Sequence, residues 1–112
     1  MARKKALEED ILTDSTYYIL LTLVRPMHGY GIMQEIKELS NNKIDIGPAS
    51  LYTILKKLQD GELIKLLDGN EDRRKTYILT DKGKELIKKD IERRKLMVSY
   101  GEKALKILEG WV

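Results

Sequence analysis

Arg73, Arg74 and Lys75 are three adjacent cations beside a Gly69-Asn70 turn signal. Cations on a protruding turn suit phosphate oxygens, contacts that give affinity without sequence information. Glu71 and Asp72 offset part of that positive field, and arginines on an exposed edge also serve simply to keep it soluble. Catalysis has less to build on. The chain has one histidine, His28, and no cysteine, so a nucleophile system based on either residue, or a multi-histidine metal site, cannot be assembled. The carboxylates stand mostly three or four residues from lysines, as Glu85 does from Lys88 and Lys89, the spacing of ordinary helix-surface pairs. There is no glycine-rich phosphate loop. No enzymatic activity and no cofactor are expected.

The cations follow a segment with a strong helical period. In Pro48 to Gln59, Leu51, Ile54, Leu55 and Leu58 recur at i, i+3, i+4 and i+7 and must face a core. At about 100° per residue, Ala49, Thr53 and Lys56 then point furthest outward, with Ser50, Tyr52 and Lys57 on the flanks. Small and hydroxyl-bearing residues early in the helix let it sit deep in a groove, and Tyr52 and Lys56 are long enough to reach base edges or phosphates. The plain alternative is a solvated face carrying two lysines. After a tight turn at Gly61, the runs Glu62 to Asp68 and Lys75 to Thr80 are rich in branched and aromatic residues and read as a hairpin with the cations near its tip. A helix followed directly by a basic ribbon is the layout of a winged helix-turn-helix. In that arrangement the helix enters the major groove and the ribbon grips the flanking backbone.

The remaining segments supply the scaffold. Asp14, Ser15 and Thr16 offer N-cap chemistry for a first helix in which Tyr17, Leu20, Leu21, Leu23 and Val24 are apolar around most of the circumference, and Arg25 and Pro26 end it. His28 and Gly29 read as a short connection, with the imidazole packing or capping. A second helix follows, with Ile32, Ile36 and Leu39 inward and Glu35, Lys37 and Glu38 outward. Ser40, Asn41 and Asn42 break it, Lys43 to Ile46 alternate in a way that allows a short strand, and Gly47-Pro48 opens the third helix. At 112 residues and 42% hydrophobic there is one domain with a small core, which a partner subunit would help. A charged fraction of 35% and a net charge of +3 permit a nucleic-acid partner without demanding one. Absence of cysteine suits the cytoplasm. No apolar stretch approaches the roughly 18 to 20 residues of a membrane span, and Met1 to Leu12 lacks the apolar centre of a signal peptide, so a soluble, intracellular protein without a membrane partner is expected.

One long helix from Thr80 or Asp81 to Leu108 or beyond ends the chain, slightly weakened by Gly83 in its first turns. Ile87, Ile91, Arg94, Val98, Gly101, Leu105, Leu108 and Val112 alternate spacings of four and three, a heptad seam interrupted at Arg94 and Gly101, where the pair of helices would splay or bend. Met97, Tyr100, Ala104, Ile107 and Trp111 widen the apolar stripe. Such a stripe calls for a second copy of the chain as its cover, the alternative being to fold back on the first helix. Trp111, close to the chain end, is best held by a partner subunit.

These segments in this order resemble the PadR family of transcriptional regulators, in its short subfamily with a single C-terminal dimerisation helix. The matching residues are Met27-His28-Gly29-Tyr30-Gly31-Ile32, Ser50-Leu51-Tyr52 through Leu58, Gly61-Glu62-Leu63-Ile64, and Arg73-Arg74-Lys75-Thr76-Tyr77-Ile78-Leu79-Thr80-Asp81-Lys82-Gly83. The likeness extends over residues 14 to 108. It implies a mainly α fold with a small β-hairpin: a winged helix-turn-helix in 1–80 and a dimerisation helix in 81–112. It also implies DNA contacts from Tyr30, Ser50, Tyr52, Lys56, Arg73, Arg74 and Lys75, to which the outward geometry adds Ala49 and Thr53. A homodimeric repressor on an inverted repeat, released by a small aromatic or drug-like effector, follows from the same resemblance, with Met97, Tyr100 and Trp111 as candidate effector contacts. Ala2 to Leu12, with Arg3, Lys4 and Lys5, lies outside the pattern, either extending the first helix or acting as a mobile basic arm. A winged helix that binds protein instead of DNA is the alternative from another class.

Overall fold

Thr13 opens the first helix, one residue before the expected cap: its hydroxyl accepts the Thr16 amide at 3.1 Å. The computed structural model describes residues 11–67 and 75–110. In chain order these form α1 (Asp14–Thr22), β1 (Met27–His28), α2 (Gly29–Leu39), α3 (Pro48–Asp60), β2 (Ile64–Leu66), β3 (Thr76–Leu79) and α4 (Asp81–Leu108). Helix α1 ends at Leu23, so Val24 falls outside it and is exposed, contrary to the apolar pattern. Ile19, Leu20 and Leu23 are fully buried. Thr22 joins them because its hydroxyl donates to the Ile19 carbonyl at 2.7 Å, which satisfies the group within its own turn.

The expected hairpin is part of a three-stranded antiparallel sheet in the order β1-β3-β2. On one side of β3, Ile64, Lys65 and Leu66 face Leu79, Ile78 and Tyr77; on the other, Met27 and His28 face Tyr77 and Thr76. His28 therefore lies in a strand, where the sequence suggested a plain connection. A two-residue strand is too short for alternation to reveal it.

Helix α2 buries Ile32 and Ile36 but leaves Leu39 exposed, because the helix ends there and Ser40 occupies the buried position. The Ser40 hydroxyl accepts the Ile44 amide at 3.0 Å, and Asn41 and Asn42 turn the chain with φ of 55° and 63°. Asparagine tolerates this left-handed region. Residues 43–47 form no strand, and Ile44 and Ile46 pack on the core from an irregular segment.

Helix α3 sets Leu51, Leu55 and Leu58 fully inside, with Ile54 at the edge. Its end turns at Glu62, not at Gly61: Gly61 has φ of −83°, whereas Glu62 has φ of 64°. Here Thr80 fastens three elements. Its hydroxyl donates to the Glu62 carbonyl at 2.7 Å and accepts the Gly83 amide at 3.1 Å, which caps α4, while its own amide donates to the Leu63 carbonyl at 3.1 Å. A Cβ on Gly83 would collide with the Leu63 carbonyl oxygen and lie 2.7 Å from Leu79 Cδ1. The glycine is thus required for close approach and is more than a weak point in the helix.

The first half of α4 belongs to the domain core, with Leu86 and Ile87 buried and Ile91 packed against them. The buried Asp90 carboxylate accepts Arg93 Nε at 3.0 Å and Arg94 Nε at 2.6 Å. Arg94 also reaches Asp14 at 2.9 Å and stacks 4.1 Å from the centre of the Tyr17 ring, and both guanidinium groups donate to the Leu12 carbonyl. Burial works against the Arg94 charge, but the hydrogen bonds and charges of Asp90 and Asp14 outweigh it and raise its pKa. That is why an arginine interrupts the heptad seam: at this level α4 faces α1 of its own chain. The later turns project from the body and lengthen the chain, whose extents with them are 60 × 33 × 22 Å.

Candidate nucleic-acid interface

The face of α3 opposite Leu51, Leu55 and Leu58 is open. Ala49, Ser50, Thr53, Lys56 and Lys57 are all exposed on it, and Tyr52 is half exposed at its flank. Gly47 contributes no side-chain cap and Pro48 has no N–H to donate. The remaining amide groups of the first turn are left without a capping side chain, and the positive end of the helix dipole favours anions there. The Thr53 hydroxyl donates to the Ala49 carbonyl at 2.9 Å. Toward an outside partner it therefore presents a methyl group and oxygen lone pairs, suited to a thymine methyl or an exocyclic amine. Lys56 lies 3.8 Å from Asp60 with both side chains largely in solvent, a loose pair from which the ammonium can swing to a phosphate.

Tyr30, the second residue of α2, is exposed. Tyr52 reaches toward the same end of α2: a Cβ on the buried Gly29 would collide with its Oη and lie 2.8 Å from its Cζ. Tyr77, buried on β3, has its pKa raised above the usual 10.0, first by burial and then by Tyr52. On the ribbon, Lys75 is exposed, while Arg73 and Arg74 lie outside the described residues. Lys65 is a further exposed cation, in mid-β2 opposite Ile78. Sequence reasoning passed over it, although its place between the buried Ile64 and half-buried Leu66 marks it as outward facing.

Of the proposed seam, Ile87 and Ile91 are packed within their own chain, whereas Val98, Gly101, Leu105 and Leu108 are exposed. Leu96, Met97, Tyr100 and Ile107 are also more than half exposed. Between α1 and α4 an open groove is walled by Tyr17, Ile91, Arg94 and Val98. Met97 and Tyr100 are not among its walls: Met97 Sδ accepts Arg93 Nη1 at 3.2 Å, and the Tyr100 ring lies 5.6 Å from the Lys103 ammonium. Trp111 lies outside the described residues. Among the described residues there is no cluster of potential metal ligands, and no helix is long and apolar enough to cross a membrane.

Comparison with known proteins adds to this geometry. The model of the transcriptional regulator PadR-like family matches residues 19–89. An uncharacterized protein X of Lysinibacillus sphaericus is 31% identical, with 83% of this chain and 94% of that protein covered. An uncharacterized 37.1 kDa protein in transposon TN4556 of Streptomyces fradiae is 34% identical over 58% of this chain, which spans 18% of that protein's length. Among solved structures, a transcriptional regulator from Clostridium thermocellum superposes with a TM-score of 0.72 at 27% identity, covering 80% of this chain and 87% of that one. Bacillus subtilis PadR, solved in complex with operator DNA, superposes with a TM-score of 0.56 at 31% identity over 66% of this chain and 44% of that one.

Proposed function

The chain belongs to the PadR-like family of transcriptional regulators, and on that footing we propose that it is a homodimeric repressor that binds an inverted-repeat DNA operator. The observation that carries this reading is the outward face of α3, where Ala49, Ser50, Thr53 and Lys56 stand opposite the buried leucines, directly before a ribbon bearing Lys65 and Lys75. In this reading α3 enters the major groove and reads bases, while Tyr30 at the start of α2 and the wing cations Arg73, Arg74 and Lys75 hold phosphates. The exposed residues Val98, Leu105 and Leu108 on the projecting half of α4 support the dimer, since an apolar helix face of that size needs a cover.

The division of the chain at residue 80 is then one of roles, with 1–80 binding DNA and 81–112 pairing two copies, although α4 begins inside the common core. Met97 and Tyr100, exposed on the paired half, together with Trp111 are assigned to a small aromatic or drug-like effector that releases the operator. The cytoplasm, where the DNA is, is its place of action.

Binding to DNA measured at two salt concentrations tests the central claim, followed by selection of bound sequences from a random pool. Affinity should fall steeply with salt, and the selected sequences should contain two related half-sites about 34 Å apart. Salt-insensitive or absent DNA binding would instead favour a winged helix that recognises protein.

A further inference from the structure

Tyr52 looks from the sequence like a residue long enough to read DNA, but its ring is directed elsewhere. The end of the side chain that would have to reach a base or phosphate is the end in contact with Gly29: a Cβ there would strike Oη and lie 2.8 Å from Cζ and 3.5 Å from Leu51 Cδ2. A tyrosine has two side-chain torsions, so a ring seated in this way does not at the same time extend outward from α3. Helical geometry puts Tyr52 at the flank of the outward face, next to Ala49 and Lys56, and the contact with Gly29 shows that from this flank the ring leans toward α2. The residue is 47% exposed, as befits a strut spanning a crevice and not a side chain filling the core.

The place where the ring is seated matters. Gly29 is the first residue of α2 and follows directly on β1, whose Met27 and His28 pair with Tyr77 and Thr76 of β3. One side chain thus links the start of α2, which follows directly on the sheet, to the reading helix. Gly29 sets the distance of closest approach, since any larger residue would unseat the end of the ring.

Resting on the DNA-binding reading above, we propose that Tyr52 is a positioning residue: seated on Gly29, it fixes the pose of α3 against the start of α2 and so aligns Ala49, Thr53 and Lys56 with the bases, without touching DNA itself. Binding to random DNA depends on phosphate contacts and is tolerant of small changes in pose, whereas base contacts are not. Loss of the strut should therefore lower selectivity and leave random-DNA affinity nearly unchanged.

The test uses the full chain and a site selected by the unaltered protein from a random pool, with Tyr52→Phe, Tyr52→Ala, Gly29→Ala and the double variant Gly29→Ala/Tyr52→Ala. The readout is the ratio of affinities for the selected site and for random DNA, measured well below the melting temperature of each variant. Tyr52→Phe, which keeps the ring, should stay within about twofold of the unaltered ratio. Tyr52→Ala should lower the ratio about tenfold, the scale of one misaligned base contact. Gly29→Ala should do the same from a buried position, and the double variant should be no worse than the weaker single, because both act through one contact. A loss in Tyr52→Phe as large as in Tyr52→Ala would make the hydroxyl a direct DNA contact and overturn the proposal, as would additive losses in the double variant. Should Gly29→Ala fail to fold, the comparison of phenylalanine with alanine at 52 decides alone. An unaltered protein that selects no sequence would refute the DNA-binding reading itself, a separate outcome.

Discussion

Replacing glycine by alanine in a helix ordinarily stabilises it by about 1 kcal/mol, because alanine has less backbone freedom to lose. Helix α4 has two glycines, Gly83 in its first turn and Gly101 in its later half, and the same substitution should act with opposite sign at each. At Gly101 an added Cβ meets nothing within 4 Å, so Gly101→Ala should gain about 1 kcal/mol. At Gly83 it would collide with the Leu63 carbonyl oxygen and crowd Leu79 Cδ1 at 2.7 Å. The carbonyl cannot swing aside: Leu63 O accepts the Thr80 amide, and the preceding Glu62 carbonyl accepts the Thr80 hydroxyl. Overpacking of this kind costs about 1 to 3 kcal/mol, and a fixed backbone obstacle belongs at the upper end. After the propensity gain is subtracted, Gly83→Ala should lose about 2 kcal/mol, which for a domain of this size is a fall in melting temperature of about 10 °C. Thermal denaturation followed by circular dichroism, at one protein concentration for all three forms, reads both signs. A Gly83→Ala protein that melts above the unaltered one would refute the close approach of α4 to the turn after α3. A Gly101→Ala protein that melts lower would mean that residue 101 is tightly covered in solution, as a close-packed dimer seam would require.

If the wing holds phosphates, Lys75→Ala should flatten the slope of log affinity against log salt by about 0.9, and Arg73→Ala/Arg74→Ala by about twice as much, equally on specific and random DNA; unchanged slopes would remove the wing from the interface. Thr53→Val keeps a methyl group but removes the lone pairs, and together with Lys56→Ala it should change which sequences are selected, at about 1 to 3 kcal/mol per lost base contact. Equal losses on all sequences would make α3 a positioning element only. Deleting residues 96–112 removes the exposed apolar face and spares Leu86, Ile87, Asp90 and both clamped arginines. Sedimentation should then show a folded monomer with greatly weakened operator binding, since linked half-sites gain from effective concentration; a truncated chain that still sediments as a dimer would place the interface elsewhere.

The long helices were legible because pattern and punctuation agree in them. In α3 the spacing of Leu51, Leu55 and Leu58 coincides with Pro48 at the first position, and in α4 Thr80 caps as its residue type suggests. What escaped the sequence depends on where a pattern stops or on what approaches from far along the chain. Val24 and Leu39 are apolar and in phase, yet each stands where its helix has just ended or is ending, and phase alone does not mark that point. Gly83 and Gly29 are glycines because of Leu63 and Tyr52, neighbours brought by folding. Tyr52 itself has the length of a DNA-reading side chain, and only the position of Gly29 shows where that length is directed. Arg94 looked like a fault in a seam because the seam was read as one surface. In the folded chain α4 changes partners along its length, from its own core at Ile87 to Tyr17 and Asp14 at Arg94 and then to solvent at Val98.

That change of partner would have a mechanical consequence if two chains pair through α4, as proposed. The helix is fixed to its domain at two levels: Thr80 and Gly83 fasten its first turn to the end of α3 and the ribbon, and Asp90 with Arg93 and Arg94 fastens its third to Leu12 and α1. Two such attachments on one rigid rod leave no hinge between the reading helix and the exposed half of α4. The crossing angle of two paired α4 helices would therefore set the separation and tilt of the two α3 helices directly. In such a dimer, any ligand or substitution that alters the pairing would alter the fit to both half-sites together. The buried Asp90 carboxylate is the critical member of the upper attachment, because its removal would leave two partly buried guanidinium groups with Asp14 alone for charge compensation. Asp90→Asn should accordingly weaken operator selectivity even though the partners of Asp90, Arg93 and Arg94, are not on the reading face, and it should do so by loosening the rod and not by removing a DNA contact, so the salt slope of binding should remain unchanged. A flattened slope would show that the Asp90 cluster contributes to the phosphate contacts, and selectivity retained in full would show that α4 transmits no geometry to α3.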